Sequence, residues 1–236
     1  MTDTLRWILA AAAAFLLGSI PWGLWVGRLV RGLDVREHGS GNLGATNVYR
    51  VLGPRWGLLV LLLDAGKGVA AVLVARALLG AGTPESAVGA GAAAGTPGLA
   101  IWAGMLGLIA SVLGHSFSPL AGFRGGKGVA TAAGAWGALF PLALAAALAA
   151  WILCFALTRI VSLASIVACL VLPVAAAWLR RGQGPLLRDP LFDLAVLTAL
   201  LILARHRSNL RRLRRGREQR LDLRPAGPTV GPEARR

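Results

Sequence analysis

The sequence predicts an all-α integral membrane protein of seven transmembrane helices, with glycine-rich polar loops on its cytoplasmic side. Three observations lead there. Apolar residues make up 56% of the 236 positions, and they gather in long uninterrupted runs, as in polytopic membrane proteins. The net charge of +15 rests on 25 basic against 10 acidic side chains, and all the basic ones except Lys67 and Lys127 are arginine. Polar, anion-seeking clusters stand at the borders of the apolar runs: GSGNLGATNVYR at 39–50, FRGGKGVAT at 123–131 and RHRSNLRRLRRGRE at 205–218.

A spanning helix needs about 20 mainly apolar residues. The runs at 5–27, 56–79, 98–116, 161–179 and 190–206 meet that need. The first lacks the basic flank and small-residue cleavage site of a removed signal peptide, so it reads as a retained span. A further run, 131–158, is interrupted at Phe140-Pro141. Loops 28–55 and 117–130 and the segment after 205 are rich in arginine, whereas 80–97 carries only Glu85. Basic loops stay inside. If 131–158 crosses twice, turning near Pro141, every basic segment falls on the cytoplasmic side. Seven crossings satisfy the charge rule and six do not. The exception is Arg180 and Arg181 in the outer loop at 180–189, which Asp189 only partly offsets.

Residues 1–220 read as one membrane domain. Residues 80–97 form a small-residue loop, and 221–236, rich in Pro and Gly without a period, a disordered cytoplasmic tail. Cys154 and Cys169 lie in apolar runs and read as buried small hydrophobes rather than a disulfide. The basic excess fits anionic lipid. A nucleic-acid partner is excluded, since no soluble binding module is left over.

In GSGNLGATN, three glycines and four side-chain donors fall within a short loop. A flexible turn needs less. Freed backbone N–H groups of Gly41 and Gly44, with Ser40, Asn42, Thr46 and Asn47, can converge on a phosphate, and Arg50 lies one helical turn beyond Asn47. The GGKG stretch at 125–128 is not a Walker A loop, because Ala121 and Gly128 occupy the places that motif reserves for Gly and Ser/Thr. What remains is Lys127 between Gly125, Gly126 and Gly128, a point charge on flexible backbone suited to phosphate. His206 and Asn209 share a helical face below the last run and read as substrate contacts. His115 reads as a structural hydrogen-bonder, and the arginines around Asn209 as a solvated, lipid-facing stripe. Asp64 and Lys67, three apart inside a span, each cost roughly 2.5–3.5 kcal/mol at a helix centre and so pair on an inward face. Whether that pair orients the site or takes part in chemistry is open from sequence. No carboxylate cluster offers a metal site, and no Gly-x-Ser-x-Gly elbow or Cys–His pair offers a covalent nucleophile.

Taken in order, GSIPWG at 18–23, DVREHGSGNLGATNVYRVLG at 34–53, DAGKG at 64–68, GHSFSPLAGFRGGKGVAT at 114–131, SLAS at 162–165 and RHRSNLRRLRRGRE at 205–218 resemble the motifs of the acyl-phosphate-dependent glycerol-3-phosphate acyltransferases of bacterial inner membranes. Leu43 stands where that family usually has Pro, and Arg124 where it usually has Lys; neither change removes a donor. The resemblance implies transfer of an acyl group from acyl phosphate to the 1-hydroxyl of sn-glycerol 3-phosphate, giving 1-acylglycerol 3-phosphate and inorganic phosphate. It is the first acylation of phospholipid biosynthesis, at the cytoplasmic face of the inner membrane. Clusters and resemblance together assign catalysis to Lys127 and His206. Substrate binding falls to Ser40, Gly41, Asn42, Gly44, Thr46, Asn47, Arg50, Gly125, Gly126, Gly128, Ser162, Ser165 and Asn209. Acyl phosphate is already activated, so no metal, cofactor or obligate protein partner is expected. Positioning and electrostatic stabilisation can carry the reaction. Two proton acceptors stay open, His206 and the leaving phosphate. An organic-anion transporter and a lipid-anchored structural protein are the competing readings, and the former's inverted repeats are not visible.

Overall fold

The computed structural model describes residues 2–81, 98–182 and 184–222. The small-residue loop expected at 80–97 and the tail expected at 221–236 lie almost wholly outside the described residues. Ten α-helices are described: α1 Asp3–Ser19, α2 Trp22–Arg31, α3 Ala45–Leu52, α4 Pro54–Leu78, α5 Leu99–Ser116, α6 Val129–Leu139, α7 Pro141–Thr158, α8 Val161–Leu179, α9 Pro190–Arg205 and α10 Arg207–Arg214. Among the described residues, five helical stretches are long and apolar enough to cross a bilayer: Asp3–Arg31, Pro54–Leu78, Leu99–Ala121, Pro141–Thr158 and Val161–Leu179.

Proline places two breaks. The run expected as one span at 5–27 divides at Ile20-Pro21 into α1 and α2, because Pro21 has no N–H to continue the ladder. The interruption expected at Phe140-Pro141 is present, with α6 ending at Leu139 and Pro141 opening α7. At 11 residues, α6 rises only about 16 Å, roughly half a hydrocarbon core. Its last turn therefore leaves carbonyls in need of donors at membrane depth. Arg76 of α4, 5% exposed, supplies one: Nη1 donates to Ala138 O at 3.2 Å, while its Nε donates to Ala100 O at 3.1 Å and so ties this end to the start of α5.

Helices α1, α4 and α5 pack on one another, α6 lies against α4 and α5, and α8 joins α7 to α9. Small residues make the seams. A Cβ on Gly68 would lie 2.0 Å from Thr131 O, and one on Gly134 would lie 1.9 Å from Ala65 O. α4 and α6 thus touch backbone to backbone, the usual way helices associate where lipid replaces water. The main core centres on Trp136, Leu108, Leu172, Leu194 and Ile202, and Trp136 Nε1 donates to Thr198 Oγ1 at 3.4 Å across α6 and α9. Only 11% of α7 is buried, which makes it the outer helix, presenting Leu142, Ile152, Leu153 and Leu157 to lipid.

The irregular arginines of the 180–189 loop find partners. Arg180 pairs with Asp189, which also caps α9 by accepting from Leu191 N and Phe192 N, and Arg181 stacks 3.6 Å over Trp178. Cys154 and Cys169 are free thiols.

Candidate active site

Between α2 and α3 the chain folds over a small apolar cluster in which Val35 and Val48 are fully buried and Leu43 nearly so. Each such side chain contributes roughly 1.5–3 kcal/mol, enough to fix a loop otherwise composed of glycine and polar residues. Asn47 completes the loop. Its Nδ2 donates to Val35 O at 2.7 Å and His38 O at 3.1 Å, while Oδ1 accepts from Ser40 N at 2.7 Å and Ser40 Oγ at 3.1 Å. Asn47 was expected to donate to a ligand, but these bonds occupy both donors and both lone pairs, so it acts as a brace. Gly39 turns at φ 60°, and a Cβ there would meet Asn47 Oδ1 at 2.4 Å. Asn42 Oδ1 accepts from Gly44 N at 2.9 Å, leaving its amide free to face outward. Gly41 is exposed and Thr46 half-buried.

Arg36 ties this loop to the next. Its Nε and Nη2 grip Asp34, and Nη1 donates to Ala121 O at 2.8 Å. The GGKG stretch is itself held from two sides. Arg205 donates to Gly125 O at 3.2 Å and Gly126 O at 3.0 Å, and Gly126 N donates to His115 O at 3.1 Å. Gly128 turns at φ 81° into α6, which leaves Lys127 projecting from a fixed base. Burial pushes the Lys127 ammonium down to about 8; Glu218 resists the shift, and Arg212, Arg50 and Arg205 add to it.

The third cluster folds back on itself. After α10 the chain turns at Gly216, φ 63°, and Leu221 N reaches Arg159 O at 2.7 Å. The turn brings Glu218, the last residue of the RHRSNLRRLRRGRE motif, into a node whose partners the motif does not name. It accepts from Ser162 Oγ at 2.7 Å, from Asn209 Nδ2 and from Arg212 Nε at 2.6 Å. These donors hold its carboxyl below the usual range although burial opposes them. Arg50 Nη2 reaches Gln219 O at 3.4 Å, joining the first cluster to the third. His206 is 2% exposed, and its Nδ1 lies 2.8 Å from Ile202 O. A donated Nδ1–H leaves Nε2 as the acceptor. Burial, reinforced by Lys127, pushes its imidazole down to about 4.

Asn42, Lys127, Arg205, Arg207, Ser208, Arg211 and Arg214 line an open crevice of about 830 Å³. Asn209 Oδ1 is buried without a hydrogen-bond partner, on the residue between Ser208 and Leu210, which both line the crevice. Ser162 joins this site through Glu218. Ser165, expected beside it, lies in the seam of α7 and α8, where its hydroxyl donates to Val161 O at 2.8 Å and accepts from Trp151 Nε1 at 3.2 Å. The SLAS spacing places the two serines three apart, but only Ser162 turns toward the site. Missed from sequence were Glu218, Arg205, Arg212 and Arg36. Their charges were legible, but their pairings depend on the fold-back and on loop-to-loop contact.

An all-helical membrane protein whose cationic, hydroxyl-bearing crevice opens at the ends of lipid-facing helices is one built to bring an anionic head group to an apolar chain. A family model described as glycerol-3-phosphate acyltransferase matches residues 8–216. A glycerol-3-phosphate acyltransferase of Anaeromyxobacter sp. (strain K) is 42% identical over 94% of this chain and 100% of its own. Another, from Geobacter metallireducens, is 46% identical over 90% and 96%. The crystal structure of PlsY (YgiH), an integral membrane glycerol 3-phosphate acyltransferase in its glycerol 3-phosphate form, superposes with TM-score 0.75 at 36% identity, covering 92% of this chain and 96% of that one. The chain belongs to the glycerol-3-phosphate acyltransferase family and is a multi-pass membrane acyltransferase.

Proposed function

We propose that this enzyme transfers an acyl group from acyl phosphate to the 1-hydroxyl of sn-glycerol 3-phosphate, releasing 1-acylglycerol 3-phosphate and inorganic phosphate for phospholipid synthesis. The observation that carries the reading is the crevice itself. Lys127 and Arg205, Arg207, Arg211 and Arg214 line one cavity, so two phosphates can approach without the repulsion that separates them in water. The similar PlsY chain is described in a glycerol 3-phosphate form and a lysophosphatidic acid form, which fits an acceptor and a product of this kind.

In this reading the acceptor phosphate lies against Lys127 and Arg50, and Asn209 Oδ1 accepts from a glycerol hydroxyl. As the 1-hydroxyl oxygen attacks the acyl carbon, charge builds on the carbonyl oxygen and then on the departing phosphate. Fixed cations stabilise both without reorganising. The hydroxyl proton passes to a phosphate. His206 is a poor base near pH 7 with its imidazole near 4, so it serves by holding its ring against the acceptor. The acyl chain lies between helices in the bilayer. Seven crossings, counting α6 as a short pass that needs a locally thinned bilayer beside the full-length α7, with the site on the cytoplasmic side of the inner membrane, agree with the arginine distribution.

Purified enzyme given acyl phosphate should release phosphate only when glycerol 3-phosphate is present, in equal amount to the lysophosphatidate formed. Turnover with acyl-CoA but none with acyl phosphate would reject the donor.

A further inference from the structure

Beneath the two glycine loops lies a buried polar group that the proposed reaction does not use. Asp64 and Lys67 of α4 and His115 of α5 are each at most 7% exposed. Asp64 Oδ1 is 2.7 Å from Lys67 Nζ and 3.5 Å from His115 Nδ1. Inside a bilayer such charges are retained at a cost, and replacing a buried pair with apolar residues is often neutral or stabilising. Their contacts lead elsewhere. Lys67 Nζ donates to Ile20 O at 2.8 Å, the residue where α1 gives way to α2. Helix α2 in turn carries the first glycine loop, and a Cβ on Gly23 would lie 1.9 Å from Leu43 O. On the other side, His115 O accepts from Gly126 N at 3.1 Å. A Cβ on Gly126 would lie 2.1 Å from His115 Nε2, and one on Gly125 would lie 2.0 Å from His115 O. A water-sized void of about 10 Å³ touches all three groups together with Leu43 and Gly126.

We infer that Asp64, Lys67 and His115 are positioning residues that set the distance between the two glycine loops, and so between the two bound phosphates. One carboxylate oxygen is shared by a lysine that fixes the origin of the first loop and a histidine on which the second loop rests. None of these three groups lines the crevice. Losing them leaves each anion bound and spoils their relative placement, and a misplacement near 1 Å costs on the order of 10²-fold in rate.

The inference rests on the acyl-transfer reading, which wild-type turnover tests by itself; the ratio of variant to wild type tests the positioning. The variants are the neutral pair Asp64→Asn/Lys67→Met, together with His115→Asn and His115→Ala. Each is purified in detergent and assayed for kcat, KM for glycerol 3-phosphate and thermal unfolding. The neutral pair should unfold near wild type, lose at least tenfold in kcat and change KM less than threefold. His115→Asn, whose amide can stand in for Nδ1–H toward Asp64, should keep at least a third of kcat, whereas His115→Ala falls with the pair. Wild-type kcat in a folded neutral pair would overturn the inference, as would a raised KM with kcat intact. If the neutral pair fails to fold, equal kcat in the Asn and Ala variants overturns it.

Discussion

Lys127 stands among arginines with Glu218 as its counter-charge, and its ammonium is held near 8. Above that pH the side chain loses its charge, so affinity for inorganic phosphate should fall as pH rises through 8, by up to tenfold per unit until the pKa of the bound state is reached. Isothermal titration between pH 6.5 and 9.5 checks this, and a flat affinity would remove Lys127 from the phosphate. Lys127→Ala should cut turnover at least tenfold, a loss of roughly 1.4 kcal/mol or more, in protein that still purifies folded. His206 titrates in the opposite regime. Its folded value near 4 lies below the ordinary 6.5, so the unfolded chain takes up a proton that the folded one refuses. The stability this represents is full above pH 6.5 and falls away as pH drops to 4, by about 3 kcal/mol. His206→Asn should flatten that slope in thermal unfolding and leave any rate inflection near pH 6 in place, because that inflection belongs to the phosphate. An inflection abolished by the substitution, with glycerol 3-phosphate affinity unchanged, would return the base role to His206.

Helices α4 and α6 meet where Gly68 and Gly134 remove side chains. A methyl at Gly134 confronts Ala65 O, which cannot swing aside, so Gly134→Ala should destabilise by about 1–3 kcal/mol. Gly66, on α4 with nothing within 4 Å of its added Cβ, is the control, where Ala should be neutral or stabilising through helix propensity. Unfolding in detergent that treats the two alike would dismiss the seam. Elements differ in how far sequence alone describes them. Pro141 sits amid an overlong run, so the break before α7 was readable. Pro21 breaks a run of acceptable length, so the division of α1 from α2 was not. Which way a side chain faces is tertiary information: Asn47 and Ser165 carry the right groups and turn them into the fold. Glu218 was hidden for another reason. It stands in an arginine-rich stretch whose fold-back depends on the turn at Gly216, and no local pattern announces where such a return will land.

At the scale of the molecule, the arginine distribution predicts which way the whole bundle faces. In a background with Cys154 and Cys169 replaced by Ala, single cysteines at Glu37 and Arg215 should resist an impermeant thiol reagent in intact cells, while one at Leu187 reacts. All three positions are exposed, so accessibility within the protein does not confuse the result. Labelling at both Glu37 and Arg215 with protection at Leu187 would invert the bundle. Labelling of Arg215 alone would reduce the seven crossings to six and separate the loops that share the crevice.

The fold-back after α10 bears on how the enzyme comes into being. A ribosome makes Glu218 and Leu221 after every described helix has been translated, yet these residues tie α8, α10 and the α7–α8 junction together. A chain stopped before Glu218 is therefore expected to keep its glycine loops but to lack the carboxylate that gathers Ser162, Asn209 and Arg212. Activity would then begin only once that last turn has left the ribosome, and half-made copies at the translocon would spend no acyl donor.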